Sequence, residues 1–337
     1  MKPFVLEQAS SVTDAVSQVG EAATRSQTTV YCAGGTTMID LMKLGIAEPN
    51  TVIDLLALKP ELDQIRMTDA GLEIDALATM AEVAAHPLIN THFQAVADSL
   101  NLAASAQIRN AATVGGNLLQ RTRCAYFRDG HESCNKRKPG SGCAAQQGDS
   151  RGLAILGTSK ACIANYPGDF AVALVSLDAS VKLQHPNGTT RQLNVSNLHR
   201  LPEDQPDQET NLAPGELITS ILIPDMPWQA SRYVKVRDRT SYAFALASVA
   251  VALNLDARGH IQDVRLALGG LASKPWHCHN AEEYLKGKAL NDVNVLEAAQ
   301  LCFHGAKVDE HRAFKLELGQ RTVIRGLVEA YRHAQAA

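Results

Sequence analysis

Ala33-Gly34-Gly35-Thr36-Thr37 lies between a short apolar run, Thr29-Val30-Tyr31-Cys32-Ala33, and a helix-compatible run, Met38-Ile39-Asp40-Leu41-Met42-Lys43-Leu44. A further apolar run, Thr51-Val52-Ile53-Asp54-Leu55, completes the order strand, glycine turn, helix, strand: a β-α-β unit. Adjacent glycines accept positive φ and let backbone approach a ligand closely. The N–H groups that open the helix suit a pyrophosphate. The spacing is not G-x-G-x-x-G, so a Rossmann dinucleotide site is not supported. Taken alone, this motif is better explained as a plain tight turn with a threonine cap, since Gly-Gly turns are common. A second glycine pair, in Thr113-Val114-Gly115-Gly116-Asn117, shifts the balance. Two such turns can clamp a long phosphate-containing cofactor from both sides.

Outward from these turns the chain divides into three regions: residues 1–56, 57–226 and 227–337. The second has a strand near Leu72–Leu77, helices near Met80–His86 and Phe93–Ser105, and a helix at Phe170–Asp178 after Pro167-Gly168-Asp169. Val181–Gln184 and Thr190–Leu193 flank Pro186-Asn187-Gly188, a hairpin signal. Leu201–Pro214 reads as an exposed loop. In the third region Ser248–Leu255 and Ile261–Leu268 alternate as antiparallel strands, with helices at Ala281–Lys286, Val293–His304 and Leu316–Ala334. The class is α+β.

The 337 residues are 45% hydrophobic with a net charge of −3, which excludes disorder as the dominant state and gives no electrostatic reason to expect nucleic acid. No apolar stretch is long enough to cross a membrane, and the start carries Glu7 before any apolar run of signal length, so a leader is not expected.

Four of the seven cysteines, Cys124, Cys134, Cys143 and Cys162, fall in one glycine-rich segment. From Arg121 to Cys162 eight Lys or Arg residues stand against Asp129, Glu132 and Asp149. The spacing fits neither a zinc ribbon nor a ferredoxin run. Cations would stabilise the negative charge of thiolates around an iron–sulfur cluster, so a cluster is favoured, with zinc and unrelated free thiols as alternatives. His277-Cys278-His279 reads as a surface polar run, since no further ligand adjoins it. No nucleophile elbow, Walker loop or strong acid–base pair is present.

The motif Ala33–Lys43 resembles the A-G-G-T motif, and Thr113–Asn117 the T-[IV]-G-G-N motif, of the FAD-binding subunits of the xanthine dehydrogenase and molybdenum hydroxylase family. Thr37 departs from the Asp or Asn usual there. The resemblance runs along nearly the whole chain. It implies a two-subdomain FAD-binding domain of the vanillyl-alcohol-oxidase/PCMH-like kind, residues 1–56 and 57–226, and a smaller α+β C-terminal domain, 227–337. Implied FAD contacts are Tyr31, Cys32, Ala33, Gly34, Gly35, Thr36, Thr37, Met38, Thr113, Gly116 and Asn117, with Asp169 and Lys235. For the last two an N-cap carboxylate and an ordinary solvated lysine are the alternatives. Lys235 is expected beside the flavin, stabilising its reduced anion.

The cysteine segment looks like that of the branch containing periplasmic-type aldehyde oxidoreductases, implying a 4Fe–4S cluster on Cys124, Cys134, Cys143 and Cys162 in an insertion at about 121–162. The implied partners are a 2Fe–2S small subunit and a molybdenum-cofactor large subunit in a heterotrimer, with an external electron acceptor. The implied compartment is cytoplasm, or periplasm by co-export with a signal-bearing partner. The flavin subunit of a xanthine or purine hydroxylase is the alternative within this class. A metal-binding nucleic-acid module is the alternative outside it.

Overall fold

The computed structural model describes residues 1–24 and 28–336, arranged around three sheets. The first is three-stranded and parallel, in the order β1 (Val5–Gln8), β3 (Thr51–Asp54), β2 (Thr29–Cys32). The helix Val12–Thr24 covers it, burying Ala15, Val16 and Val19 with Ile53 and Leu55. The β-α-β expectation thus describes one edge of this sheet. Its partner β1 was not legible, because its residues are all exposed and carry no half-buried alternation.

The second sheet is antiparallel, in the order β4 (Ile65–Thr68), β5 (Gly71–Asp75), β8 (Leu217–Pro224), β6 (Ser180–Gln184), β7 (Thr190–Asn194). The expected hairpin is the β6–β7 pair. Strand β8 lies centrally, with Ile74 and Val181 both paired to Ile221. The sequence between β5 and β6 supplies a helical layer and the cysteine segment. In that layer every residue of the helix Phe170–Ser176 is buried. The helix expected over 93–105 is shorter, Gln94–Asn101, and a separate helix Pro87–His92 precedes it. Proline at the first position of that helix restricts the residue before it and enforces the break.

The third sheet is antiparallel, in the order β12 (Trp276–His277), β11 (Ile261–Gly269), β10 (Ala247–Leu255), β9 (Ala230–Val236). The long helix Ala313–Ala336 packs on it through Val323, Leu327 and Ala330. The end of the cysteine segment is fastened here. Ile155 and Leu156 donate backbone N–H to Leu271 O at 2.8 and 3.1 Å, and buried Lys315 bonds both Leu153 O and Gly270 O.

Candidate functional site

A cavity of about 1110 Å³ opens where the first turn meets the second. That exceeds the volume of an ordinary small-ligand pocket, roughly 300–1000 Å³. Every sequence-selected residue from Tyr31 to Met38 lines it, as do Thr113, Gly116, Asn117 and Asp169. Lys235 does not.

The first turn is held by its neighbours. Tyr31 Oη donates to Gly215 O at 2.7 Å, fixing the end of β2 against the loop before β8. A Cβ on Gly34 would stand 1.8 Å from Ala111 O, so this glycine is what lets the first turn touch the chain entering the second. Gly35 has φ +69°, the left-handed conformation that glycine takes without strain. Among the described residues, no N–H from Ala33 to Met38 donates to a protein acceptor. Six successive donors therefore remain at the cavity wall.

The second turn differs from the expectation. Val114–Leu118 is a one-turn helix capped by Thr113, whose hydroxyl accepts from Gly116 N–H at 3.3 Å. The N–H groups of Val114 and Gly115 donate to Ala78 O and Ala76 O, both at 2.9 Å. This turn contributes surface and one side chain rather than free amides. The Asn117 carboxamide faces the cavity with its oxygen buried and unpartnered, while its nitrogen meets Met80 Sδ at 3.4 Å. Below it, Leu118 O accepts from buried Tyr166 Oη at 3.0 Å and His199 Nε2 at 2.8 Å. Burial pushes His199 down to about 4, so the ring is neutral.

Asp169 precedes the helix Phe170–Ser176 but makes no side-chain cap. Its carboxylate accepts from Tyr233 Oη at 2.6 Å and from Lys235 Nζ at 2.7 Å. The Lys235 side chain is 1% exposed and also donates to Leu102 O. Burial pushes the Asp169 carboxyl upward, against the pull of Lys235 and Tyr233. Lys235, expected beside the flavin, is absent from the cavity wall and holds its ammonium on the Asp169 carboxylate.

Sequence reading missed Arg123 and Arg128, which reach the cavity from the cysteine segment. Both donate to one oxygen of Asp40, Arg123 at 3.4 Å. The guanidinium of Arg123 also lies 5.0 Å from the Phe244 ring. Arg123 Nε and Arg128 Nη1 are buried without partners. The signal in the sequence is their place just after the second turn, although their spacing reads as charge near the cysteines.

The four cysteines converge on a small void of their own. Cys134 and Cys143 face each other across a short antiparallel bridge, closed by Asn135 N–H to Gly142 O at 2.7 Å. Cys124 opens the helix Ala125–Asp129, and Cys162 returns alongside with Ala164 N–H 3.4 Å from its sulfur. All are free thiols; three are buried and Cys143 is partly so. Burial raises the Cys124 thiol and pushes that of Cys162 up to about 11.

A zinc ion at about 2.3 Å from each sulfur would hold sulfurs roughly 3.8 Å apart. Among the described residues no three of these sulfurs lie within 4.8 Å of one another. The charge expectation is revised, because acids from outside the segment neutralise much of it. Arg121 meets Glu209 at 2.7 Å, Arg151 meets Asp238 at 3.0 Å, and Arg123 and Arg128 meet Asp40.

His277 and His279 do have a nearby carboxylate that sequence reading overlooked, Glu282, three positions beyond His279. Glu282 is buried and bonded to Leu266 N–H and His277 at 2.7 and 2.8 Å, which gives it a structural task joining β11 to the helix His279–Leu285.

The chain matches the family model for the FAD binding domain in molybdopterin dehydrogenase over residues 2–226. It matches that for the CO dehydrogenase flavoprotein C-terminal domain over 232–330. It is 43% identical to the aldehyde oxidoreductase FAD-binding subunit PaoB of Escherichia coli (strain K12), covering 98% of this chain and 99% of that one. It is 27% identical to the nicotinate dehydrogenase FAD-subunit of Eubacterium barkeri, over 88% of this chain and 84% of the relative. Carbon monoxide dehydrogenase from Hydrogenophaga pseudoflava shares the fold, with a TM-score of 0.76 at 22% identity over 99% of both chains.

Proposed function

This chain belongs to the FAD-binding subunits of the molybdenum hydroxylase family, and from that premise we propose that it is the electron-transfer subunit of an aldehyde oxidoreductase. FAD is its flavin, held in the large cavity. The single observation that carries the placement is the run of unbonded amides from Ala33 to Met38 at the wall of that cavity. Fixed N–H donors of this kind suit a diphosphate and need no rearrangement to receive it. The orphaned Asn117 oxygen fits the same group, since it needs a donor such as a ribityl hydroxyl. Asp169 keeps its place on the wall because Tyr233 and Lys235 hold both its oxygens.

When bound, FAD supplies the conversion between one-electron and two-electron transfer. Cys124, Cys134, Cys143 and Cys162 would hold a 4Fe–4S cluster. That reading rests on this chain's own cysteines, which are free and gathered around one small void. The remaining parts, a 2Fe–2S small subunit and a molybdenum-cofactor large subunit, would complete a heterotrimer that delivers electrons here for an external acceptor. The aldehyde follows from the relative at 43% identity, and substrate selection would lie in the large subunit. No helix among the described residues is long and apolar enough to cross a membrane.

The test is the optical spectrum and metal content of the purified chain. Releasable FAD with iron and acid-labile sulfide in equal amounts is expected. Single Ser replacements of the four clustered cysteines should lose iron and sulfide, whereas Cys32, Cys278 and Cys302 should be replaceable. Zinc in place of iron, or full iron in all four variants, would overturn the cluster; a chain without flavin would overturn the FAD site.

A further inference from the structure

We propose that Arg123 and Arg128 are anion-binding residues of the dinucleotide cavity, holding the diphosphate of FAD against the amides of the first turn. The inference rests on the flavin reading and adds the cationic half of that site.

Most carboxylates on the cavity wall already have a cation of their own. Asp169 has Lys235, Glu216 has Arg191, and Asp238 has Arg151. Asp40 alone faces two guanidinium groups, and it is 43% exposed, so one positive charge is left over. Both guanidiniums are substantially buried, with 26% and 18% of their side chains exposed. Each keeps a fully buried nitrogen without an acceptor. Leaving a buried donor unpaired costs about 1–3 kcal/mol, and more where the group is charged. Packing alone gives no reason for two such donors at one cavity.

Position supplies the ligand's class. Asp40 lies one helical turn beyond Thr37, so its arginine partners stand at the end of the cavity where the unbonded amides are. An anion placed there would meet backbone donors from one side and guanidinium donors from the other. The forked guanidinium is suited to phosphate oxygens, and charge-assisted bonds to it are stronger than neutral ones. Because Arg123 adjoins Cys124 and Arg128 lies on the helix that Cys124 opens, the cysteine segment would also help retain the flavin.

The test compares FAD with riboflavin, which lacks the phosphates, on the deflavinated full-length chain by quenching of flavin fluorescence. Arg123→Gln and Arg128→Gln should each reduce the preference for FAD over riboflavin by about ten-fold or more, most strongly at low salt. Arg128→Lys, which keeps the charge, should recover part of it. Asp40→Asn should leave FAD affinity unchanged or raise it, because it removes a competing anion. Iron content and circular dichroism report whether each variant has folded. An unchanged preference in both folded Gln variants would overturn the proposal. So would an Asp40→Asn loss equal to theirs, since the three residues would then be a structural ion cluster. A wild-type chain that binds neither ligand would overturn the flavin reading, and this inference with it.

Discussion

At Gly34-Gly35 the backbone passes from β2 into a helix with six amides left unbonded, whereas at Gly115-Gly116 the neighbouring amides are tied to Ala76 and Ala78. The two motifs look alike in sequence, each a glycine pair with threonine and a following helix. Their packing separates them. The first turn lines the cavity with its donors unbonded, and its glycine is needed where Ala111 O comes within 1.8 Å of a would-be Cβ. The second turn lies along the segment following β5, so its N–H groups close a local ladder and its glycine at 115 makes room for Ala76. One turn leaves its backbone donors open; the other closes its own and presents Asn117.

The sharpest way to break this distinction is to add one methyl group at each turn. Gly34→Ala drives a Cβ into a backbone carbonyl that no rotamer change can move, so a loss of about 4 kcal/mol or more and of all flavin is expected. Chemical denaturation and flavin content would measure it. Gly116→Ala sets a Cβ 3.0 Å from Thr113 Oγ1 with no other atom within 4 Å. It should cost no more than about 1 kcal/mol while weakening flavin binding, because the methyl projects toward the cavity. Equal destabilisation by the two substitutions would erase the comparison.

Between these extremes stands Lys235→Met. The buried Asp169 carboxylate would lose its ammonium, at a cost of about 3 kcal/mol. Asp169→Asn in the same chain should return much of that stability, a double-mutant cycle that separates an ion pair from a flavin contact. If Lys235→Met instead leaves stability intact and shifts only the flavin potential, the lysine faces the flavin after all.

A smaller effect is expected from pH at the second turn. His199 is buried neutral with its folded value pushed down to about 4. Its contribution is therefore full above its ordinary value near 6.5 and is lost as pH falls toward 4. Amides around Leu118, which His199 and Tyr166 hold, should lose hydrogen-exchange protection in that window before those of β2 do.

Much of the architecture was legible because it follows local rules. The β-α-β unit, the Pro186-Asn187-Gly188 hairpin and the β10–β11 pair are written in periodicity and turn chemistry. Strands β1, β4 and β8 were not, since each pairs with residues far away in sequence or lacks a clean alternation. At the site, the glycine pairs and the cysteines stood out by residue type. What could not be read was how polar groups would be partnered. Lys235 appeared as a free cation, yet Asp169 occupies it; Arg123 and Arg128 appeared to belong to the cysteines, yet they reach the cavity. Charge pairing is settled by tertiary contacts between segments, and spacing within one segment does not encode it.

Hydrogen–deuterium exchange of the full chain with and without added FAD tests the central claim most directly. The amides from Gly34 to Met38 should exchange quickly in the flavin-free chain and become strongly protected when FAD is bound, whereas Val114 and Gly115 should be protected in both states. Rapid exchange from Gly34 to Met38 with FAD bound would contradict the assignment of this turn as the diphosphate cradle.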